Sequence, residues 1–487
     1  MKAICILSDS LNRHFLPAYG NSWVQTPNID RFAEKSLLFT NHWMGSAPCM
    51  PARRDIITGR LCFLEREWGG LEPFDRPFPS ILRRNGIYSH METDHHHYFH
   101  VGGENYHTTF NTWALHRGQE NDRYVSRIDP VEEPEHLGRW TEQYYKNHSA
   151  FSDESAFPTP RTFRGAIDWL SANEGADDFF LWVEVFDPHE PFDCPEHYYR
   201  LYEDHWSGPL YNWSGYERVD EESAAQEHLK KQYASSLTMM DRWLGKLFDE
   251  LERQGIFEET LIIFTTDHGH MLGEHGQTGK NNWHVWNEMA HIPLLVHLPG
   301  SECGGEERGQ LTQNIDIMPS LLEYFGLGDI QRDLPLHGHS LLSPAYENEA
   351  SKRDAALYGW FGQTVNLSDG SHTYFRAPVS EENSPLYRYF LTHSTIHLHD
   401  LKGIEFFKEA ELGKFLPYTD FPVIRARVDK HRSEEWEDSR LYSIEDDPGQ
   451  QLDLSGTALE NRYRDLLIET LKRHDAPREQ YRRLGLT

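Results

Sequence analysis

The chain has 487 residues, 38% hydrophobic and 13% aromatic, enough apolar material for a sizeable core and too much for a disordered polymer. Lys and Arg number 47 against 77 Asp and Glu, a net charge of −30, which argues against nucleic acid or an anionic membrane as the main partner. A small anionic substrate stays possible, because a few cations or a metal can reverse the field inside one pocket.

At roughly 100–200 residues per domain, the length predicts more than one structural unit. The cysteines, Cys5, Cys49, Cys62, Cys194 and Cys303, are odd in number and widely spaced, so no disulfide framework or zinc finger is visible. The opening segment lacks the apolar core of a signal peptide, and no window approaches ~18–20 uninterrupted apolar residues. The expectation is a cytoplasmic protein with no membrane segment.

In chain order, Ala3 to Leu7 reads as a buried parallel strand that ends at Asp9. Thr26-Pro27 starts a helix, with Pro27 in its first turn and Thr26 as the expected cap. Pro79 to Asn85 reads as a helix closed by Gly86, and Arg164 to Ser171 as another. Phe179 to Phe186 is a buried strand followed by Asp187. His228 to Arg253 is a long amphipathic helix, stopped by Gly255. Leu261 to Thr265 is a strand, with Asp267 just past its end. The alternation predicts an α/β fold with a large, mostly parallel sheet flanked by helices, and functional groups at the carboxyl ends of its strands. The composition changes near residue 350. Short antiparallel strands are expected at Tyr358–Phe361, at Thr373–Phe375 and from Ile396, with a terminal helix from Leu459 to His474. The division is therefore a catalytic unit over 1–350 and a smaller α+β unit over 351–487.

Five segments carry chemistry. Cys49 precedes a helical stretch, Arg53 to Ile57, whose N-terminus would lower a thiol pKa. Asp267-His268-Gly269 pairs a carboxylate with an imidazole at a strand end, a good arrangement for a divalent metal. Here Gly269 is expected to permit a positive φ. Asp9, an acid at a buried strand end, needs a partner or a metal. His189, in Asp187-Pro188-His189-Glu190-Pro191, can donate a proton near neutral pH. Four histidines fall within Asp94 to His100.

The segment from Cys49 to Gly59 matches C-x-P-x-R-x-x-x-x-T-G, the activation signature of the sulfatase family, at every fixed position. Asp267 to Gly276 resembles the family's metal motif, and Lys280 its GK lysine. Pro188-His189-x-Pro191 resembles the segment whose His lies beside the leaving oxygen. His95 and His97 stand where the family has the Lys and His of G-K-W-H-L-G. Thr26 to Ala33 and Leu441 to Gly449 also resemble family segments, so the likeness runs in order from Asp9 to about Gly449.

The resemblance implies an alkaline-phosphatase-superfamily fold and hydrolysis of a sulfate monoester. It implies formylglycine made from Cys49 by a formylglycine-generating enzyme. It also implies a divalent metal, foremost calcium, with magnesium and manganese as alternatives, held by Asp9, Cys49, Asp267 and His268. Arg53, His97, His189 and Lys280 become the expected catalytic residues, and His95, Lys280 and His284 the expected substrate contacts, with His95 and His97 adding positive charge. The family usually carries two consecutive Asp where this chain has Asp9-Ser10, leaving Ser10 or Asn12 as substitutes. Phosphonate monoester hydrolases, relatives in the superfamily, also lack that second Asp and tend to carry Ala where Ala52 stands. A phosphonate monoester or phosphodiester hydrolase is thus the alternative. A glycan-binding protein on a decayed scaffold is disfavoured, because a binder needs no oxidisable Cys at the centre of its site. An aromatic rim of Tyr98, His100, Tyr106, Trp283, His284 and Trp286 leans toward a sulfated carbohydrate. The oligomeric state is left open.

Overall fold

The computed structural model describes residues 1–280, 284–300, 303–342, 353–393, 408–428 and 438–487. The expected boundary near residue 350, the strand expected from Ile396, and Trp283 lie outside them.

The main sheet has eight strands. Their order across it is Glu307–Arg308, Leu37–Phe39, Leu294–His297, Thr260–Thr265, Lys2–Ser8, Phe179–Val185, Tyr88–Thr93 and Thr112–Leu115. All neighbours are parallel except Leu294–His297, which runs antiparallel to both of its partners. Strand alternation sends Ile4, Ile6, Leu181 and Val183 into one apolar layer and Ala3, Cys5, Leu7 and Phe180 into the other. Helices Pro158–Ala172 and Ser223–Arg253 cover the first face, and Cys49–Thr58, Phe78–Arg84 and Ile317–Tyr324 the second. Both faces are buried, which explains why the strands read as continuous apolar runs.

A five-stranded sheet follows, ordered Arg440–Ser443, His372–Arg376, Val365–Ser368, Ala356–Trp360 and Ser46–Ala47. Its last strand comes from the segment just before Cys49. This sheet therefore braces the approach to that residue, with Gly359 paired to Ser46 and Trp360 to Ala47.

Local expectations differ from the structure in two places. Thr26 makes no side-chain cap for the helix Pro27–Glu34. The Asp241 carboxylate, from the long helix, takes the Asn28 and Ile29 N–H groups at 3.1 and 2.7 Å instead. The helix expected at Arg164 starts earlier, at Pro158, because proline suits a first turn and both Pro158 and Pro160 fall there.

Candidate active site

Asp9, Asp94, Asp187 and Asp267 each follow a parallel strand, so one sheet edge collects all four carboxylates. Cys49 reaches this edge as the first residue of the helix Cys49–Thr58. Two devices fix the helix. The Asp55 carboxylate accepts the Ser46 and Cys62 N–H groups at 2.6 and 3.0 Å, folding the preceding strand onto it. Gly59, at φ 66°, ends it in the left-handed conformation that glycine adopts without strain.

Arg53, one helical turn beyond Cys49, is fully buried and holds three carboxylates. Its Nε lies 2.6 Å from Glu184, its Nη1 2.5 Å from Asp267 and its Nη2 2.8 Å from Asp9. Nη1 also donates to the Cys49 carbonyl at 3.0 Å. Glu184 further accepts the Tyr98 hydroxyl and the Trp182 indole N–H, each at 2.8 Å. Burial would raise the Asp9 carboxyl, but Arg53, aided by His189 and Lys280, outweighs burial and holds it well below the usual carboxylate range.

Above the helix N-terminus, the Cys49 sulfur lies 3.4 Å from His268 Nε2, 3.1 Å from Lys280 Nζ and 4.0 Å from Asp9 Oδ1. His268 Nδ1 faces the Gly269 carbonyl at 2.8 Å. A carbonyl only accepts, so Nδ1 carries the hydrogen and the Nε2 lone pair points to the sulfur, the tautomer that ligates a metal. The role of Gly269 differs from expectation. It has no positive φ; a Cβ there would run into the Glu288 carbonyl, so close backbone approach demands glycine.

The donor atoms of Asp9, Cys49, Asp267 and His268 all lie within 4.8 Å of one another and are buried. Three buried carboxylates, Asp9, Asp267 and Glu184, share Arg53, and Lys280 is the further buried cation beside Cys49, so acid outnumbers cation there. An uncompensated buried charge is expensive, and a divalent cation offsets it. The residues present therefore fit a divalent metal. Of the two substitutes for a second Asp, Asn12 is occupied elsewhere: its side chain accepts the His14 N–H and donates to the His270 carbonyl, both at 2.9 Å. Ser10 stays at the site, donating its hydroxyl to Asp9 at 2.7 Å and its N–H to Asp267 at 3.1 Å.

The thiol expectation is reversed. Burial, with Asp9 beside it, pushes the Cys49 pKa well above its ordinary value, and Lys280 and Arg53 offset this only in part. Burial first and the nearby carboxylates second disfavour the thiolate at residue 49.

The His95–His97 turn also departs from expectation. Both nitrogens of His95 are buried without a hydrogen-bond partner. Burial and the Arg53 charge hold its pKa well below the usual range, and burial with His96 does the same for His97. Neither ring adds positive charge near neutral pH, which leaves Lys280 and Arg53 as the cations beside the sulfur. Lys280 Nζ also lies 2.6 Å from His189 Nε2, and the Phe186 ring backs His189 at 4.0 Å between centroids.

Four residues of the expected aromatic rim, Tyr98, Tyr106, His284 and Trp286, are committed to packing elsewhere. Tyr98 and Tyr106 are fully buried, with hydroxyls committed to Glu184 and to the Gly69 carbonyl. Trp286 stacks on His275. His284 packs against Trp286 and Phe375, with Nε2 3.1 Å from the Asp438 carbonyl.

Glu184 and Glu190 escaped sequence reasoning. Glu184 had a visible signal, an acid inside the buried run Phe179–Val185. Glu190, fully buried, bonds the Tyr216 hydroxyl and lies 3.4 Å from His189 and 3.5 Å from His270.

The family model "Sulfatase" matches residues 2–327, and the model "N-sulphoglucosamine sulphohydrolase, C-terminal" matches 273–406. Human iduronate 2-sulfatase is 26% identical over 363 residues, 64% of this chain and 62% of the human protein, so the match spans under two thirds of that relative. Among solved structures, phosphonate monoester hydrolase of Agrobacterium radiobacter superposes with a TM-score of 0.67 at 19% identity, covering 97% of this chain and 96% of its own. A protein solved in complex with its substrate D-glucosamine-2-N,6-O-disulfate gives a TM-score of 0.67 at 16% identity, covering 97% and 98%. The fold is thus the one these two structures share. With the matched model spanning two thirds of its length and every fixed position of the Cys49 signature in place, the chain belongs to the sulfatase family.

Proposed function

We propose that this chain hydrolyses a sulfate monoester on a carbohydrate, using formylglycine made from Cys49. The observation that carries the reading is the convergence of Lys280 and His268 on the Cys49 sulfur, at 3.1 and 3.4 Å, above an Arg53 that ties down Asp9 and Asp267. Formylglycine at residue 49 supplies a hydrated-aldehyde hydroxyl as nucleophile, and a divalent cation at Asp9, Asp267 and His268 supplies Lewis-acid polarisation of the ester oxygens. A formylglycine-generating enzyme is then a partner during maturation.

The chain's own residues do the rest. Arg53 fixes the two carboxylates and the Cys49 carbonyl, so the nucleophile is held in one orientation. Lys280, 3.1 Å from the sulfur, stabilises charge on the transferred group and holds a proton within reach of the leaving oxygen. His189 accepts from Lys280 and steadies its ammonium. Calcium is the metal proposed first; the imidazole of His268 in the donor set also suits manganese. The carbohydrate preference is supported by the sulfated sugar bound to one structural neighbour and by the name of the human relative.

A second reading is favoured by one observation. Ser10 replaces a carboxylate at the metal group, and a structural neighbour is a phosphonate monoester hydrolase. Matured protein should be assayed on an aryl sulfate, an aryl phosphonate monoester and an aryl phosphodiester. Sulfate turnover well ahead supports the sulfatase reading; phosphonate or diester turnover ahead replaces it.

A further inference from the structure

A second cluster of ligand-type groups stands on the same sheet edge, outside the Cys49 group. His96 and His97 lie in the turn His96–Phe99 that follows the strand Tyr88–Thr93. Glu120 comes from the loop after the neighbouring strand Thr112–Leu115. The ligand atoms of His96, His97 and Glu120 all lie within 4.8 Å of one another. His96 is 1% exposed and Glu120 8%.

The distances are informative. His96 Nε2 is 3.4 Å from Glu120 Oε2, and His97 Nε2 is 3.6 Å from the same oxygen. His96 Nε2 is buried without a hydrogen-bond partner. A buried, unpaired imidazole nitrogen calls for a missing partner. Separations of this size are loose for hydrogen bonds but match the edge of a tetrahedron. Four ligands at about 2.0–2.1 Å from zinc stand about 3.4 Å apart. The two rings lie 4.2 Å apart with a 33° interplanar angle, so one cation can reach both. Glu120 is also held at φ 45°, a left-handed conformation costly for a side chain of its kind and characteristic of binding loops.

A neighbouring trio, His96, His100 and Asp122, is a weaker candidate. The Asp122 carboxylate is already taken by Arg117, at 2.6 and 3.0 Å, and by the Gly118 N–H at 2.9 Å.

We propose that His96 Nε2, His97 Nε2 and Glu120 Oε2 hold a second divalent cation of the zinc class, with at least one coordination position open. Two imidazoles and a carboxylate suit zinc better than calcium. Neutral rings are the ligating form. The cation cross-links two loops of the pocket wall: His97 lies 5.0 Å from His95 and 6.3 Å from Phe186, the ring that backs His189.

The test uses the full chain, stripped with a chelator and dialysed against zinc alone, with bound metal counted by mass spectrometry. Glu120→Gln and, separately, His96→Gln should each bind one zinc fewer than the wild type. Asp267→Asn removes a ligand of the Cys49 group only, and should keep the zinc that Glu120→Gln loses. Zinc should also raise the melting temperature of Asp267→Asn but not of Asp267→Asn/Glu120→Gln, a readout independent of turnover. An equal zinc count in wild type, Glu120→Gln and His96→Gln overturns the proposal, whatever Asp267→Asn shows. Loss of zinc in Asp267→Asn alone assigns the metal to the Cys49 group and likewise overturns it.

Discussion

Lys280 Nζ lies 2.6 Å from His189 Nε2, while His189 Nδ1 lies 2.6 Å from the Glu190 carbonyl oxygen. The carbonyl can only accept, so His189 carries its hydrogen on Nδ1 and receives a hydrogen bond from Lys280 on Nε2. The proton shared by this pair beside Cys49 therefore sits on Lys280. His189 serves as its acceptor and can hold the shared proton only by taking it from Lys280. Glu190 stands beside this pair, its carboxylate 3.4 Å from His189 Nδ1.

It follows that Lys280→Met depends on the leaving group. Loss of a positioned proton donor costs about 10²–10⁴-fold. An alkyl or sugar sulfate, whose oxygen needs a proton to depart, should lose this much in kcat/KM. An aryl sulfate with a strongly acidic phenol should lose far less. Equal losses on the two substrates would remove Lys280 from the proton path and leave it as a charge alone.

Arg53 makes a stability prediction. Removing it leaves Asp9, Asp267 and Glu184 buried together without the guanidinium they share. Breaking such a buried network costs about 3–5 kcal/mol. Arg53→Met should lower the urea midpoint accordingly in metal-free protein. Adding Glu184→Gln should recover part of the loss, because one of the stranded charges is gone while Tyr98 and Trp182 keep an amide partner. A double variant no more stable than Arg53→Met would mean that packing, not charge, carries the effect.

His42 sets a pH dependence. It is fully buried between Thr312 and Asn314, at 2.9 and 3.1 Å, and burial pushes its pKa down to about 3. Unfolded, it takes up a proton near pH ~6.5. Between those values the unfolded chain binds the extra proton, so this contribution is present above pH ~6.5 and is lost as pH falls toward ~3. The full shift corresponds to no more than about 5 kcal/mol. Urea midpoints measured from pH 7 down to 4 should fall more steeply for wild type than for His42→Gln, by about one proton in linkage. Parallel curves would place the buried proton linkage elsewhere.

The molecule shows what sequence carries and what it does not. Asp9, Cys49, Arg53, Asp267, His268, His189 and Lys280 were legible because each sits in a motif of fixed spacing, and the sheet brings all of them to one edge. The buried strands were legible from their apolar runs. Glu184 was visible only as an anomaly inside such a run, and its partner could not be named before Arg53 was placed. Tyr216, which bonds Glu190, carries no local signal. Tyr98 and Tyr106 misled because an aromatic ring reads the same in a core and on a sugar-binding rim; burial alone separates them. His95 and His97 misled because a cluster of histidines suggests positive charge, while desolvation, joined by Arg53 at His95 and by His96 at His97, favours the neutral form. Thr26 was a sound local cap that lost to a tertiary one from Asp241.

The central claim is that turnover belongs to a group made from Cys49, and one measurement reaches it directly. Preparations matured to different extents by a formylglycine-generating enzyme should be compared for the aldehyde fraction at residue 49, by peptide mass, and for the rate of aryl sulfate hydrolysis. The account predicts a rate proportional to the aldehyde fraction, vanishing for unconverted protein and for Cys49→Ala. Undiminished hydrolysis by unconverted protein or by Cys49→Ala would contradict it.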